Sequence, residues 1–330
     1  MPADVIAYQR ARHGASLDDV CRWLEDHRPR LRDSLRSRGV VAFRGFPLAA
    51  AVDFERFAIA ADPEAGDYRG QTVRSRVHGR VYESTPIPGP FPIPMHSETA
   101  YASYFPSRGF FYCETAAAVG GETLFADNRA ILAALPTSVV DGFRARGIQY
   151  VRYLPPDTAW PVRLSNALKL GVFKSWQAAF DTRDRGEVEA FCRSNGLPFA
   201  WEGDWLSLSA RLPATRRTET GEEVWFNQAH LFHVSRRTHN AIASGLNRAI
   251  NAACRRTLLG ATYGDGGALD DDTMVGIKRE MERHARPWSW QPRDVVYFDN
   301  LRVAHGRAPF KGKRSLLTLW TGYQTGEVAS

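Results

Sequence analysis

Apolar positions first set a helical rhythm. Leu17, Val20, Cys21, Leu24, Leu31 and Leu35 recur at helical spacing, and Ser16 with Asp19 gives a capping box at their start. The pattern predicts one helix from Ser16 to Arg38, stopped by Gly39. The period then changes. Val40-Val41-Ala42-Phe43-Arg44-Gly45-Phe46 is a short continuous apolar run, as expected of a strand buried on both faces. A second helix is predicted over Ala51 to Ala61. From Asp67 to Pro94 the chain is rich in Gly, Pro, Arg and Ser, and prolines alternate from Pro86 to Pro94, giving a stiff extended approach.

Further strands are expected over Arg108 to Cys113 and Glu122 to Ala126, the second after a Gly120-Gly121 turn. Short helices follow at Asn128 to Leu135 and Thr137 to Arg146. From about Tyr150 to Asn227 the pattern loses its period and gathers Trp160, Trp176, Phe180, Phe191, Trp201 and Trp205 among charged turns. Such insertions tend to carry pockets. Helices are expected over Ser235 to Leu259 and Asp270 to His284, the latter opened by aspartates that suit a helix N-terminus. The strand Val295-Val296-Tyr297-Phe298, a loop bearing His305, and the strand Leu316 to Trp320 close the chain. No repeat, low-complexity segment or clean domain boundary is visible.

Composition narrows the class. The chain has 330 residues, 44% hydrophobic and 24% charged, which suits a globular protein with a sizeable core. No apolar run approaches the about 20 residues of a membrane span, and no secretory signal is visible at the N-terminus. Cys21, Cys113, Cys192 and Cys254 form no Cys-x-x-Cys pair, so free thiols in a reducing cytoplasm are expected. The net charge of +7 is spread over scattered arginines without a basic run. That disfavours a nucleic-acid partner and fits an anionic substrate or an acidic partner protein.

The chemistry centres on His96 and Glu98. Residues two apart on an extended chain point to the same side, so imidazole and carboxylate can share a metal, with His305 as candidate third ligand. Two histidines and one carboxylate on one face of a metal are the ligand set of non-haem Fe(II) oxygenases. His230 and His233 lack a carboxylate or cysteine at ligand spacing and are assigned to the core or a pocket wall. Asn227, Gln228 and Arg307 are candidate substrate contacts. Asp127 and Asp299 are expected to cap or brace loops. A redox-silent cupin-like metal hydrolase or binding protein is the alternative of another class.

Several segments together resemble the TauD/TfdA family of 2-oxoglutarate-dependent Fe(II) dioxygenases, in the clavaminate-synthase-like superfamily, and within it a SyrP-like branch. They are His96-x-Glu98, Gly120-Gly121-Glu122-Thr123, Trp225 to His233, Tyr263-Gly264-Asp265-Gly266, and Asp299-Asn300 through His305-Gly306-Arg307 to Pro309-Phe310. The resemblance runs in order from about Val40 to Tyr323. It implies a mainly β fold with flanking helices, a double-stranded β-helix (jelly-roll) core, and a single domain over 1–330 with a pocket-forming insertion around 150–290. It implies iron on His96, Glu98 and His305, and 2-oxoglutarate and O2 as co-substrates. It also implies that Arg314 pairs with the distal carboxylate of 2-oxoglutarate, helped by the Thr123 hydroxyl. Taurine-type members carry a second arginine where this chain has Thr318, which argues against a sulfonate held in that way. Related halogenases have a small residue in place of Glu98, so the carboxylate implies oxygen transfer. The expected activity is hydroxylation of an amino-acid-like metabolite, free or tethered to an acidic carrier protein, in specialised-metabolite biosynthesis. Desaturation, epoxidation and oxidative cyclisation with the same cofactors stay open.

Overall fold

The structure, a computed structural model, describes residues 4–68, 74–167, 174–238 and 241–326. The alternation of apolar residues in the strands explains how the layers assemble. In Val40–Arg44, Val41 and Phe43 point to one side while Val40 and Ala42 point to the other, and both sides are buried. Val295–Asp299 sorts the same way, with Val295 and Tyr297 on one face and Val296 and Phe298 on the other. Period-two alternation with apolar residues on both faces demands a layer above and a layer below.

Those strands lie in the larger sheet, ordered Asp4–Ala7, Val40–Arg44, Val295–Asp299, Tyr104–Thr115, Ser315–Thr325, Val81–Glu83, Arg76–His78. The pairing of Tyr104–Thr115 with Ser315–Thr325 is long and antiparallel. One face is covered by Leu17–Asp26, Arg28–Arg38 and Ala51–Ala61, which bring Val20, Leu24, Leu31, Leu35, Phe54 and Phe57 to the core. The other face meets a four-stranded antiparallel sheet, ordered Arg286–Trp288, Thr123–Asp127, Val303–Arg307, Ile93–His96. Phe125 and Val303 of this smaller sheet pack on Phe111, Phe298 and Trp320 of the larger one.

A third antiparallel sheet, Phe199–Glu202, Trp205–Leu212, Ile148–Leu154 and Leu259–Tyr263, fills the stretch whose sequence has no clear period. With helices Asn128–Ala134, Thr137–Arg146 and Asp271–His284 it builds a separate apolar cluster around Ile148, Tyr150, Leu208, Trp225 and Met274. Helices and strands claim similar shares of the described chain, so the architecture is mixed α and β rather than mainly β. The helices come largely from the N-terminal layer and from the insertion.

The expected first helix is two. Leu17–Asp26 ends at His27, and Pro29 opens Arg28–Arg38. Proline lacks the N–H that a continuous helix needs there but suits a first turn. The helix expected from Ser235 is confined to Ala241–Cys254 among the described residues. No helix among the described residues is long and apolar enough to cross a membrane.

Candidate metal centre

Two strands of the smaller sheet set the site. Ile93–His96 and Val303–Arg307 pair antiparallel with His96 opposite His305, and their imidazole centroids lie 4.5 Å apart. His305 therefore belongs to a strand, where a loop is expected from the sequence. Gly306 makes this approach possible. A Cβ there would stand 2.8 Å from the Ile93 carbonyl oxygen and 2.9 Å from Met95 Sδ.

Glu98 reaches the histidines by a route that strand alternation does not give. The strand ends at His96, and Glu98 sits in the turn that follows. Thr99 takes φ 57° immediately after it, an uncommon conformation for a β-branched residue. The carboxylate is thereby bent back between the rings. Glu98 Oε2 lies 3.9 Å from Nε2 of His96 and 3.9 Å from Nε2 of His305. One ligand atom from each of the three residues lies within 4.8 Å of the others.

The surroundings fix each group in metal-binding form. His96 Nδ1 sits 2.8 Å from the Pro94 carbonyl, which as an acceptor leaves Nε2 bare. Burial lowers the His96 pKa, with Glu98 pulling the other way. Burial also pushes His305 well below its ordinary value, aided by His96 and Arg74. Both rings are thus held neutral, the form that coordinates a cation. The His305 ring is enclosed by Phe111, Phe298 and Trp320, at centroid distances of 5.4, 5.1 and 6.2 Å. Glu98 itself is braced on every side. Its Oε1 accepts from Tyr68 Oη at 2.7 Å and its Oε2 from Arg74 Nη2 at 2.9 Å. Asn300 holds both of its backbone groups.

A narrow cavity opens beside the triad, lined by His96, His305, Thr123, Arg314, Phe111 and Arg307 among others. Arg314 donates Nε to the Gly121 carbonyl at 2.9 Å and makes no ion pair with a carboxylate among the described residues. Burial, and then Arg307, lower its pKa to about 10. That penalty on an unpaired guanidinium is what an incoming dianion relieves. Thr123 is buried, and its Oγ1 accepts from Trp290 Nε1 at 3.0 Å, which turns the hydroxyl proton away from the indole. A neutral imidazole pair, one carboxylate, and a cation with a hydroxyl in the same cavity fit a ferrous ion and a 2-oxo diacid.

The remaining candidates have other duties. Asn227 donates Nδ2 to the Ala214 carbonyl and accepts from Ala229 N–H. Gln228 donates Nε2 to the Ser97 carbonyl at 2.6 Å, so it braces the turn between His96 and Glu98. Neither is among the residues that line the cavity, and both amides are engaged by backbone carbonyls. Arg307 borders the cavity, yet its guanidinium donates to the Ile87, Pro88 and Phe91 carbonyls and ties down the proline-rich segment. His230 Nε2 lies 2.9 Å from the Met95 carbonyl, buried behind His96, and His233 pairs with Asp271 at 2.6 Å. Asp127 caps a helix and Asp299 caps the turn at Leu301 and Arg302.

Sequence reasoning passed over Tyr68, Arg74, Trp290 and Asn300 as site residues. Arg74 lies in the stretch read only as a stiff extended approach, yet it pairs with Glu98 and lies 3.4 Å from Thr318 Oγ1. Only Asn300, inside a motif already singled out, carried a signal of its own.

The model of the family described as taurine catabolism dioxygenase TauD, TfdA matches residues 4–320. The dapdiamide synthesis protein DdaC of Enterobacter agglomerans is 33% identical over 307 residues, which cover 92% of this chain and 86% of that protein. A clavaminate synthase-like protein of Arabidopsis thaliana is 29% identical over 293 residues, covering 86% of this chain and 81% of that one. The crystal structure of an asparagine oxygenase, in complex with Fe(II), 3-hydroxyasparagine and succinate, is similar in fold, with a TM-score of 0.53 at 11% identity over 96% of this chain and 93% of that one.

Proposed function

This chain belongs to the TauD/TfdA family of dioxygenases, and from that premise we propose that it hydroxylates an amino-acid-like metabolite with Fe(II), 2-oxoglutarate and O2. The observation that carries the reading is Arg314. A half-buried guanidinium that makes no ion pair among the described residues shares a cavity with two neutral imidazoles and Thr123.

His96, Glu98 and His305 would hold the metal, leaving its other face to the cavity. Arg314 would pair with the distal carboxylate of the co-substrate, and the Thr123 hydroxyl would donate to the same group. Bound there, iron with 2-oxoglutarate and O2 supplies decarboxylation of the co-substrate coupled to oxygen insertion into a substrate C–H bond. Tyr68 and Arg74 fix the orientation of the Glu98 carboxylate. Phe111, Phe298 and Trp320 keep water from the buried side of His305.

The packing of the larger sheet on the smaller one supports a double-stranded β-helix core in one oxygenase domain, with the segment around 150–290 as a pocket-forming insertion. The similarity to DdaC, a dapdiamide synthesis protein, supports a place in specialised-metabolite biosynthesis. The free thiols suit a cytoplasmic setting.

The test is anaerobic. Fe(II)-loaded protein should develop a weak visible charge-transfer band when 2-oxoglutarate is added, and air should then yield succinate. His96→Ala and His305→Ala should lose both signals. A protein that binds zinc tightly and gives neither signal with iron would defeat the proposal.

A further inference from the structure

Thr123 lines the narrow cavity beside the histidines, and Trp290 Nε1 stands 3.0 Å from its Oγ1. The two groups differ in what they can do. An indole nitrogen only donates, whereas a hydroxyl has one proton to give and lone pairs to receive. Toward Trp290, Thr123 can therefore only accept, and its own proton must point elsewhere. None of the described residues receives that proton. Thr123 is 4% exposed, so the donor waits for an acceptor where water has little access. The same cavity holds Arg314, whose Nε is spent on the Gly121 carbonyl and whose terminal nitrogens donate to no described residue. A guanidinium is also a donor alone. Hydroxyl and guanidinium together offer hydrogens and no lone pair.

The indole is pinned from both directions along the chain. Two residues before it, Trp288 ends the strand Arg286–Trp288 directly opposite Thr123. After it, the fully buried Asp294 accepts from Gln291 N–H at 2.9 Å. Arg44 of the larger sheet joins these two anchors. It pairs with Asp294 at 2.6 Å, donates to the Ser289 carbonyl at 3.2 Å, and lies over the Trp288 ring at 4.8 Å. Trp288 and Trp290 then meet edge to face, with centroids 6.3 Å apart. A ring held this way keeps its N–H on Thr123.

We propose that Trp290 is a positioning residue that makes the Thr123 hydroxyl a one-way donor, so that this end of the cavity takes a carboxylate and rejects a carboxamide of the same shape. The inference rests on the oxygenase reading and deepens it: hydrogen-bond polarity, besides charge, selects the co-substrate. A carboxamide brings its own N–H groups against donors, and only a hydroxyl free to rotate can receive one.

The experiment uses the full chain loaded with Mn(II), which binds without turnover. Calorimetry measures the affinity for N-oxalylglycine, a co-substrate analogue, and for N-oxalylglycinamide, in which the distal carboxylate is a carboxamide. Wild type should prefer the acid by about 100-fold. Trp290→Phe frees the hydroxyl to turn, and the preference should fall to about 10-fold, with Mn(II) affinity unchanged. Trp290→Leu is the second variant should a phenyl ring not be accommodated. In a Thr123→Val background the loss of Trp290 should leave the preference where it is, and Thr123→Ser, which restores the hydroxyl, should restore the response. A merely structural role would weaken acid and amide alike and leave their ratio standing. An unchanged ratio in both Trp290 variants, or an equal response with and without the Thr123 hydroxyl, overturns the inference while the oxygenase reading stands. Failure of the wild type to bind Mn(II) and N-oxalylglycine overturns both.

Discussion

Asn300 holds Glu98 by both of its backbone groups. The amide oxygen accepts from Glu98 N–H at 2.7 Å, and the amide nitrogen donates to the Glu98 carbonyl at 2.9 Å. The same nitrogen donates to the Pro106 carbonyl at 2.8 Å. One side chain thus fixes a turn more than two hundred residues away in sequence, in a place where water cannot substitute for it.

Asn300→Ala is therefore expected to cost roughly 3 kcal/mol of folding stability, since each buried backbone group left unpaired costs about 1–3 kcal/mol. Divalent-metal affinity should fall about 10- to 100-fold, the usual effect of losing a group that orients a ligand. Urea denaturation and anaerobic metal titration read the two effects. A variant with normal metal affinity would show that the turn holds itself.

Tyr68 touches only the distal oxygen of the same carboxylate, through its hydroxyl. Tyr68→Phe removes that hydrogen bond and leaves the ring against Trp320. A hydrogen bond to a charged group contributes about 1.5–3 kcal/mol. Metal affinity should weaken by roughly 10-fold, with secondary structure by circular dichroism unchanged. An affinity equal to wild type would assign Glu98's orientation to Arg74 and Asn300 alone.

Arg314→Gln should separate co-substrate binding from metal binding. The KM for 2-oxoglutarate is expected to rise about 100-fold, the scale of a truncated buried charge pair, while Fe(II) affinity stays within a few-fold of wild type. Thr123→Val should give a smaller rise of about 10-fold from one lost hydrogen bond. Steady-state kinetics with varied 2-oxoglutarate measure both. An unchanged KM in Arg314→Gln would move the co-substrate carboxylate elsewhere.

Gly306→Ala tests the approach of the two histidine strands. The new methyl would meet the Ile93 carbonyl at 2.8 Å, and backbone cannot move aside as a flexible side chain can. Overpacking of this kind costs about 1–3 kcal/mol. A lower melting temperature with weakened metal binding is expected. Full stability together with full metal binding would mean that the strands separate freely.

Asp299 supplies a pH dependence whose sign is fixed. Burial raises its carboxyl to about 6 from an ordinary 3.8, against the N–H groups of Arg302 and Leu301. The folded state therefore holds this proton more tightly than the unfolded state. Its stabilising contribution is complete below about pH 4 and fades as pH rises through about 6. Asp299→Asn keeps the acceptor for both N–H groups and removes the charge. Relative to the variant, wild type should lose up to about 2 kcal/mol between pH 4 and pH 7, a value reduced for partial exposure. Urea denaturation across that range measures it, and a difference independent of pH would contradict it.

The layers of this protein were legible from local pattern because they depend on short-range periodicity. The continuous apolar runs in Val40–Arg44 and Val295–Asp299 announce buried strands, and the helical spacing of Val20, Leu24, Leu31 and Leu35 announces the layer that covers one face of them. The insertion was not legible in this way. Its strands Ile148–Leu154 and Leu259–Tyr263 pair across more than a hundred residues, and local propensity says nothing of a distant partner.

The triad divides along the same line. Residue type singles out His96, Glu98 and His305, and the family resemblance adds Thr123 and Arg314; the structure brings the first three together and sets the other two in the cavity beside the histidines. Their arrangement was decided by folding. Glu98 meets the imidazoles through a turn strained at Thr99, not through the pleat of a strand, and Arg74 arrives from a stretch read only as an extended approach. Asn227, Gln228 and Arg307 carry the polar groups of substrate contacts, but nearby carbonyls claim them first. Sequence specifies what a side chain is able to bind; which partner it meets depends on the backbone groups that the tertiary structure sets beside it.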